Sequence, residues 1–408
     1  MEFWLPYGVT EVPVAIPDEN LLGFLRPLEG SVSENIEEVL DVSLKHPLRD
    51  RTLFEAVGRA KKTVIAFNAD SALCSSLANL LAKQLLHANA SLCLLERATD
   101  PTQSQSSPAE SNRNQEAACP LIVHDPKAST GAKVGQLDDG TEIFLNEAFA
   151  NAEIRCIVTD VAVNPFWGYS GGPSFMVPGL ALEKTVKASL RSTLKSPRLP
   201  GVLSGNPTYE TLLRVSQIAR VDFAIHIVER PDGKIAGIFA GDFLQTFEQA
   251  CVAAGRMFRP PLQRKADIII SSAGGAVWDR TLFDASRSAI MTASGCKDHG
   301  IMIIVAECAN GLGKFPSVGS TARESKVRAA QAQRALTLER LVEYSIYRLV
   351  ADHRVYLVST LPEHDASLCG LLAAKSVGSA FQRALRHAGK DAKVALIPYG
   401  CHTAPLVG

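Results

Sequence analysis

The chain has 408 residues, of which 46% are hydrophobic and 21% charged, so it is long enough for two domains with separate buried cores. Its 42 basic and 42 acidic side chains cancel at pH 7, and no basic stripe stands out, which argues against a nucleic-acid partner. No segment has the unbroken apolar length that a bilayer requires, and the N-terminus lacks a signal-peptide pattern. We therefore expect a cytoplasmic protein without a membrane partner.

The first half of the chain predicts a parallel sheet with helices. From Lys62, an apolar run, a polar turn over residues 68–76, a helix-period segment and a second apolar run form the pattern of a βαβ unit. The turn should lie at the carboxyl end of a strand, where α/β sheets bind ligands. Residues 100–118 are rich in Ser, Gln, Asn and Pro and predict a mobile surface loop. A strand pair, a short helix and a buried strand are expected over residues 131–163.

A glycine-rich loop over residues 164–190 is the most unusual segment of the sequence. It reads NPFWGYSGGPSFMVPGLALEKTVKASL, and its second part has helical periodicity with a start marked by Pro178 and Gly179. Further along the chain, residues 231–233 (Pro-Asp-Gly) predict a β-hairpin, which a helix follows.

The strand and helix pattern restarts after a Pro-rich and charged stretch near Pro261. Residues 267–313 predict a second βαβ unit, followed by an amphipathic helix and two more strands. We therefore expect two α/β domains, residues 1–261 and residues 262–408, each with a largely parallel sheet flanked by helices. The nine cysteines lack the spacing of a zinc site or a disulfide scaffold, and we expect them to be mainly small buried hydrophobic residues.

Several short motifs, taken with their order and spacing, resemble the nickel-dependent lactate racemase family. The motifs are LPYG at 5–8, IVHDP at 122–126, NPFWGYSGG at 164–172, DGKIAGIFAGD at 232–242, SSAGGAVWDRTLFDASRSA at 271–289 and IIVAECANGLG at 303–313. The similarity extends over nearly the whole chain. It implies a two-domain α/β enzyme with its active site in the cleft between the domains.

Members of that family interconvert the stereoisomers of 2-hydroxy acids, and the resemblance implies a reaction of that class. Their cofactor is a nickel pincer nucleotide that a lysine anchors covalently; one histidine completes the nickel coordination, and two others act as acid and base. In this sequence the lysine position is Ser174, the nickel-ligand position is Leu190, and the two catalytic histidine positions are Asn164 and Thr99. We therefore expect no covalently bound nickel cofactor, assign no residue to a metal and leave the cofactor open.

Other positions of the family's site keep a polar character. The Asp and Arg of the family's first turn correspond to Ala69 and Ala72, with Asp70 beside them. The family's Tyr-Gln pair and Lys correspond to Phe283-Asp284 and Arg287.

Two interpretations of Asp284 and Arg287 stay open. The planar donor fork of Arg287 suits a substrate carboxylate, and Gly274 and Gly275 would let the backbone approach a ligand closely. The alternative is that Asp284 and Arg287 form an exposed ion pair on a solvated helix face.

The glycine-rich loop is either an anion site or a tight turn. We favour a site, because the cluster of aromatic side chains beside the glycines would be costly in a plain turn. The candidate catalytic residues are Asp70, Asn164, Asp284 and Arg287. The candidate residues for binding a small carboxylate are Trp167, Tyr169, Ser170, Gly171, Gly172, Ser174, Gly274, Gly275, Trp278, Asp279, Phe283 and Glu307.

His124 with Asp125 could be an acid and base pair, since histidine titrates near neutrality. We favour the alternative, in which Asp125 caps a turn and His124 is hydrogen-bonded after a buried strand. Cys308 follows Glu307 at the end of a core strand, and we expect it to be a packing residue because the sequence shows no nearby group that would activate a thiol.

The sequence supports three functional hypotheses and leaves the substrate and the oligomeric state open. The first is an isomerase, a racemase or epimerase, that acts on a small hydroxy acid without a covalently bound nickel cofactor. The second is a ligand-binding or regulatory homologue that has lost catalysis. The third, which we rank last, is the family activity with a noncovalent cofactor, because Ser174 cannot form the linkage of a lysine.

Overall fold

A computed structural model of the chain describes residues 1–28, 36–45, 47, 48, 53, 57, 60–86, 91–97, 119–315 and 336–408. The predicted mobile loop at 100–118 and the position of Thr99 lie outside these residues.

Within the described residues the chain forms twenty strands, several of them very short. They are β1 (Glu2–Tyr7), β2 (Thr10–Ala15), β3 (Leu21–Phe24), β4 (Thr63–Phe67), β5 (Leu92–Glu96), β6 (Leu121–Val123), β7 (Gly131–Gln136), β8 (Glu142–Asn146), β9 (Ile154–Asp160), β10 (Val163–Asn164), β11 (Gly168–Tyr169), β12 (Phe223–Glu229), β13 (Ile235–Gly241), β14 (Pro261–Leu262), β15 (Ala266–Ser272), β16 (Cys296–Val305), β17 (Arg354–Val358), β18 (Leu372–Ala374), β19 (Val394–Ile397) and β20 (Leu406–Val407).

Eleven α-helices are described, and none has the length and apolar character that a membrane crossing requires. They are α1 (Ile36–Lys45), α2 (Ala72–Leu86), α3 (Glu147–Ala150), α4 (Gly172–Ser174), α5 (Glu183–Lys195), α6 (Pro207–Ala219), α7 (Phe243–Phe258), α8 (Leu282–Thr292), α9 (Leu338–Asp352), α10 (Glu363–Leu368) and α11 (Val377–Ala388).

The first sheet has six strands in the order β13-β12-β9-β4-β5-β6. All neighbours are parallel except β12 and β13, which form the hairpin predicted across residues 231–233. The predicted βαβ unit is β4-α2-β5. Helix α2 begins because Ser71 Oγ accepts a hydrogen bond from the backbone N–H of Cys74 at 3.1 Å, and its buried leucines pack on one face of the sheet.

The second sheet also has six strands, in the order β18-β17-β16-β15-β19-β3, and every neighbouring pair is parallel. The predicted second βαβ unit is β15-α8-β16. Because parallel strands need helices on both faces, their residues are buried almost throughout, as in β15 and the last five residues of β16. The predicted α/β architecture is confirmed.

The N-terminal segment joins the second sheet. Strand β3 pairs with β19 at the edge of that sheet, and the β1–β2 hairpin packs Leu5, Val14 and Ile16 into the same apolar cluster as Ile268 and Val394. The sequence division into residues 1–261 and 262–408 stays a prediction. It does not include the pairing of the N-terminal segment with the second sheet. A short N-terminal strand carries no local signal for which of two similar sheets it will join.

The glycine-rich loop differs from its prediction at one point. Pro178 and Gly179 lie inside a π-helical segment, Phe175–Leu180, and the long helix α5 begins only after Leu182. Val177 has an extended backbone (φ −134°, ψ 117°), as expected for a residue before proline, so the chain cannot continue as one helix there.

The cysteines match their prediction. All nine are free, and seven of them are buried. Burial raises the pKa of the Cys308 thiol, with added repulsion from neighbouring carboxylates, so this thiol packs and stays protonated.

Truncating Leu5 tests the docking of the N-terminal hairpin on the second sheet. Leu5→Ala should lower the free energy of unfolding by about 2 to 5 kcal/mol, because the leucine is fully buried among strand residues distant in sequence. Urea denaturation measures the loss. Val9→Ala, at a side chain 91% exposed, is the matched control and should change stability by less than about 0.5 kcal/mol. Equal effects at both positions would contradict the docking.

Candidate functional site

The carboxyl edge of the first sheet collects polar side chains from four strands. Asn68 and Arg97 directly follow β4 and β5, while Asp160 and Glu229 are the last residues of β9 and β12. Because the four strands are parallel, their carboxyl ends meet at one edge of the sheet, where ligands bind in proteins of this architecture.

A buried hydrogen-bond network connects these side chains. Arg97 forms an ion pair with Asp70 (2.9 Å from Nη2 to Oδ2), and its Nη2 also donates to Asn68 Oδ1 at 2.6 Å. Asn68 Nδ2 in turn donates to Asp160 Oδ1. The structure therefore places the candidate residue Asp70 in this network, together with residues that the sequence analysis did not select.

Glu229 is the acidic group of this edge whose protonation changes near neutrality. Ser71 Oγ donates a hydrogen bond to Glu229 Oε1. The pKa of Glu229 is raised from its usual 4.5 to about 7, chiefly by burial and then by the negative charge of Asp160, while the bond from Ser71 opposes the shift. A carboxyl group with a pKa near 7 can both take up and release a proton at physiological pH.

The glycine-rich loop lies directly on this edge. Gly171 has a φ of +72°, and a Cβ atom at that position would lie 2.5 Å from the backbone oxygen of Asp160. A Cβ at Gly179 would lie 2.9 Å from Cδ of Arg97. The loop therefore needs glycine at these points because its backbone is pressed against the network. Ser174 Oγ donates to the backbone oxygen of Gly171 at 2.9 Å, which closes the turn from within.

Asn164 organises the aromatic part of the loop. Its Oδ1 accepts hydrogen bonds from the backbone N–H groups of Phe166 (2.8 Å) and Trp167 (3.2 Å), and all three side chains are buried. The other loop candidates are also buried. Tyr169 is 6% exposed, and Gly172 packs against the ring of Phe247. Ser170 Oγ accepts a hydrogen bond from the backbone N–H of Ala162 and donates one to the backbone oxygen of the same residue.

Arg287 joins the loop to the second half of the chain. Its Nη2 donates to the backbone oxygen of Val163 at 2.7 Å, and its Nε donates to that of Cys401 at 2.9 Å. The guanidinium is buried, so it does not form an exposed ion pair with Asp284, and its binding of a substrate carboxylate stays a prediction. Asp284 Oδ2 accepts from Thr281 Oγ1 at 2.7 Å, at the N-terminus of α8.

Asp279 anchors the turn that precedes α8. Its Oδ2 accepts hydrogen bonds from the backbone N–H groups of Gly8 (2.8 Å) and Glu307 (3.1 Å), which ties three distant segments together. Phe283, by contrast, packs edge-on against Phe315 with ring centroids 5.5 Å apart. Asp279 and Phe283 therefore have evident packing and bonding roles.

The remaining candidates of the second half face a cavity of about 690 Å³. Gly274, Gly275 and Trp278 line it from the second sheet, the β1–β2 turn lines it from the N-terminus, and Pro231 lines it from the end of β12. The carboxylate of Glu307 lies against Gly8, which is one of the residues that line the cavity. Since Pro231 is two residues after Glu229, the cavity opens beside the carboxyl edge of the first sheet.

In the structure His124 is hydrogen-bonded and Asp125 caps a turn, as in the interpretation that we favoured. Nε2 of His124 lies 3.1 Å from the backbone oxygen of Ala181, and Asp125 Oδ1 accepts from the backbone N–H of Lys127 at 2.7 Å. Burial lowers the pKa of His124 below its usual value. Burial also lowers the pKa of His226 and His402 to about 3, so these rings are neutral at physiological pH.

The residues at the family's cofactor positions do not fit a covalently held nickel nucleotide. The Ser174 hydroxyl has no amine and is bonded to Gly171, and the Leu190 side chain, 2% exposed in the main apolar cluster, has no donor atom for a metal. The Asn164 carboxamide oxygen is occupied by backbone N–H groups. Among the described residues, no group of three or more His, Cys, Asp or Glu side chains could hold a metal ion.

Gly171→Ala tests the seating of the loop on the network. The substitution should cost on the order of 3 kcal/mol of unfolding free energy, because the methyl group would add a clash with the Asp160 backbone to an unfavourable φ. Gly140→Ala is the matched control: its φ is +82°, but no atom lies within 4 Å, so the loss should be about 1 kcal/mol. Urea denaturation compares the two, and equal losses would contradict the close approach.

Glu229→Gln tests the raised pKa of Glu229. The folded state binds this proton more tightly than the unfolded chain, so the contribution of Glu229 to stability is present below pH 4.5 and is lost as the pH rises through 7. Relative to wild type, the variant should therefore gain on the order of 3 kcal/mol between pH 4 and pH 8. Denaturation at both pH values measures the gain. Glu210→Gln, at an exposed position, should show no comparable trend.

Comparisons with known proteins identify the family of this chain. The model of the lactate racemase N-terminal domain matches residues 112–199, and that of the lactate racemase C-terminal domain matches residues 262–403, together more than half of the chain. Lactate racemase of Thermoanaerobacterium thermosaccharolyticum is 24% identical over 417 residues, and lactate racemase of Lactiplantibacillus plantarum is 25% identical over 418. In both cases the match covers 97% of each chain.

Solved structures share the fold. The lactate racemase apoprotein of T. thermosaccharolyticum superposes with a TM-score of 0.83 at 22% identity and covers all of both chains. A Thermotoga maritima protein superposes with a TM-score of 0.63 at 15% identity, covering 93% of this chain and all of its own. Matches to both domain models, in order, on a chain of the same length and fold lead to one conclusion: this chain belongs to the lactate racemase family.

Proposed function

We propose that the protein is an isomerase, a racemase or epimerase, that acts on a small 2-hydroxy carboxylate without a covalently bound nickel cofactor. The observation that carries the isomerase class is the match to lactate racemases over 97% of both chains. The absence of an amine at Ser174 and of a metal donor at Leu190 supports the second part of the proposal. We further propose that it works in the cytoplasm on a small-molecule ligand, without a nucleic-acid or membrane partner.

Glu229 is the residue that we assign to proton transfer. Oε1 accepts from Ser71, which leaves Oε2 to exchange a proton with a ligand. Its pKa of about 7 suits both directions of such an exchange. The ligand would lie between the carboxyl edge of the first sheet and the cavity that Pro231 and Trp278 line. Asp70 and Arg97 support this edge through Asn68, and we assign them positioning roles.

Deuterium exchange tests the proposal directly. The purified chain, produced without nickel and without a cofactor-synthesis pathway, is incubated in D₂O with the separate enantiomers of several 2-hydroxy acids. If Glu229 takes the proton of the hydroxyl-bearing carbon from one face and D₂O returns a deuteron to the opposite face, the product is the other enantiomer with deuterium at that carbon. Glu229→Gln should lower the rate at least about 100-fold, whereas Glu210→Gln should retain the wild-type rate. Chiral chromatography and mass spectrometry provide the readouts.

The contrary outcomes of that experiment are distinct. Inversion that requires stoichiometric nickel and retains the substrate hydrogen would overturn the nickel-free proposal. Full activity of Glu229→Gln would remove Glu229 from the chemistry.

A ligand-binding or regulatory homologue is the second candidate. One observation favours it: Asn164, Asp284 and Arg287, at positions of the family's site, use their side chains in bonds within the fold. Thermal-shift screening with hydroxy acids, sugar acids and nucleotides tests this candidate. A ligand that raises the melting temperature and is not turned over supports it, while turnover of the same ligand supports the isomerase.

A further inference from the structure

Three buried hydrogen-bond donors on residues that neighbour Phe166 lack an acceptor in the part of the chain that the structure describes. They are Nδ2 of Asn164, Nε1 of Trp167 and Nη2 of Arg198, and none of them has a partner among the described residues. Buried polar groups are almost always hydrogen-bonded, because each unpaired one costs about 1 to 3 kcal/mol. Three unpaired donors on residues grouped around one phenylalanine therefore favour a ligand that only accepts hydrogen bonds.

The positions of these donors are well determined by their neighbours. Oδ1 of Asn164 accepts two backbone N–H groups, so the orientation of its carboxamide is fixed and Nδ2 is the free end. The rings of Phe166 and Trp167 have centroids 5.6 Å apart. The guanidinium carbon of Arg198 lies 5.1 Å from the Phe166 centroid, so this ring lies beside both Trp167 and Arg198, while the Phe166 backbone N–H bonds to Asn164.

Arg198 is held in place while part of its donor fork stays unused. Its Nη1 donates to the backbone oxygens of Thr193 and Ser196, and its Nε donates to Ser345 Oγ on helix α9 at 3.0 Å. These bonds fix the guanidinium between the two halves of the chain. These bonds also fix the direction of the N–H groups of Nη2, which have no hydrogen-bond partner among the described residues.

The charge at this junction is positive. Neither Arg198 nor Arg348 forms an ion pair with a carboxylate in the part of the chain that the structure describes. Burial lowers the pKa of Arg198 to about 10, and the nearby charge of Arg348 contributes. An uncompensated buried guanidinium is costly, and an anion would remove that cost.

A carboxylate suits these donors better than water or a dianion. Water would accept at most two of these hydrogen bonds and would bring two donors of its own to a place already rich in donors. The two oxygens of a carboxylate accept about four hydrogen bonds and donate none, and their single charge matches that of Arg198.

We propose that Arg198, Trp167 and Asn164 bind the carboxylate group of a small monoanionic ligand at the junction between the aromatic segment 164–167 and helix α9. This site goes beyond the proposed function, since it holds a ligand whether or not the protein turns that ligand over. Because Arg198 also bonds Ser345, the bound anion would brace the loop against the second half of the chain.

The indole N–H of Trp167 provides a direct probe. The chain has three tryptophans, so a spectrum of protein with ¹⁵N-labelled indole groups should contain three side-chain signals, and Trp167→Phe identifies the one of interest. Sodium acetate, D-lactate, L-lactate, phosphate and chloride are titrated separately at constant ionic strength. We expect acetate and at least one lactate enantiomer to shift the Trp167 signal saturably, with little change at the other two signals.

Arginine variants complete the test. Arg198→Met should weaken carboxylate binding at least tenfold, and Arg198→Lys should weaken it less, because the charge remains. Arg214→Met is the control, since that arginine is exposed and pairs with Asp138 on the surface, and it should bind like wild type.

Each contrary result overturns the proposal. A Trp167 signal that no carboxylate moves, or that only phosphate or chloride moves, contradicts a carboxylate site, as does unchanged binding by Arg198→Met. The titration of wild-type protein decides the question even if a variant fails to fold. Binding of 2-hydroxy acids without turnover would leave this site intact while contradicting the isomerase, so the two proposals can fail separately.

Discussion

The buried guanidinium of Arg287 links the two halves of this protein at the point where its glycine-rich loop begins. One nitrogen donates to the backbone of Val163 and another to that of Cys401, so the start of the loop is tied to the end of the second sheet. Hydrogen bonds from a charged donor to buried carbonyl oxygens are strong, and leaving such a guanidinium unpaired would be costly. The position of the aromatic segment, and of everything that it touches, depends on this contact.

After the contact with Arg287, the loop crosses the carboxyl edge of the first sheet, and glycines form its closest contacts with that edge. Gly171 rests on the backbone of Asp160 and Gly179 rests on the side chain of Arg97, where larger residues would not fit. Beneath the loop, the network of Asn68, Asp70, Arg97 and Asp160 is internally bonded. Glu229 stands beside it with a pKa near neutrality, so the edge that the loop covers combines fixed polar groups with one group able to exchange protons.

The chain belongs to the lactate racemase family, and we propose that it lacks the side chains that anchor the family's cofactor. Ser174 forms a hydrogen bond within its own turn, and Leu190 packs in the main apolar cluster. Both side chains therefore contribute to the packing and bonding of the fold. The buried donors without a partner in the described part of the chain include Nδ2 of Asn164, Nε1 of Trp167 and Nη2 of Arg198, the groups that we propose bind a carboxylate.

The sequence by itself determined the α/β class, both βαβ units, the hairpin at 231–233 and the glycine-rich loop, because apolar periodicity and turn residues act over short stretches of chain. It also indicated the family through motifs whose order survives divergence. Only the tertiary structure decided that β3 joins the second sheet, that Arg287 and Asp284 bond within the fold, and that Glu229, Arg97 and Asp160 share one edge with Asp70. Each of these outcomes depends on which distant segments of the chain come into contact. A polar residue at the end of an apolar run has the same local sequence pattern whether it contacts solvent, a backbone carbonyl or the end of another strand.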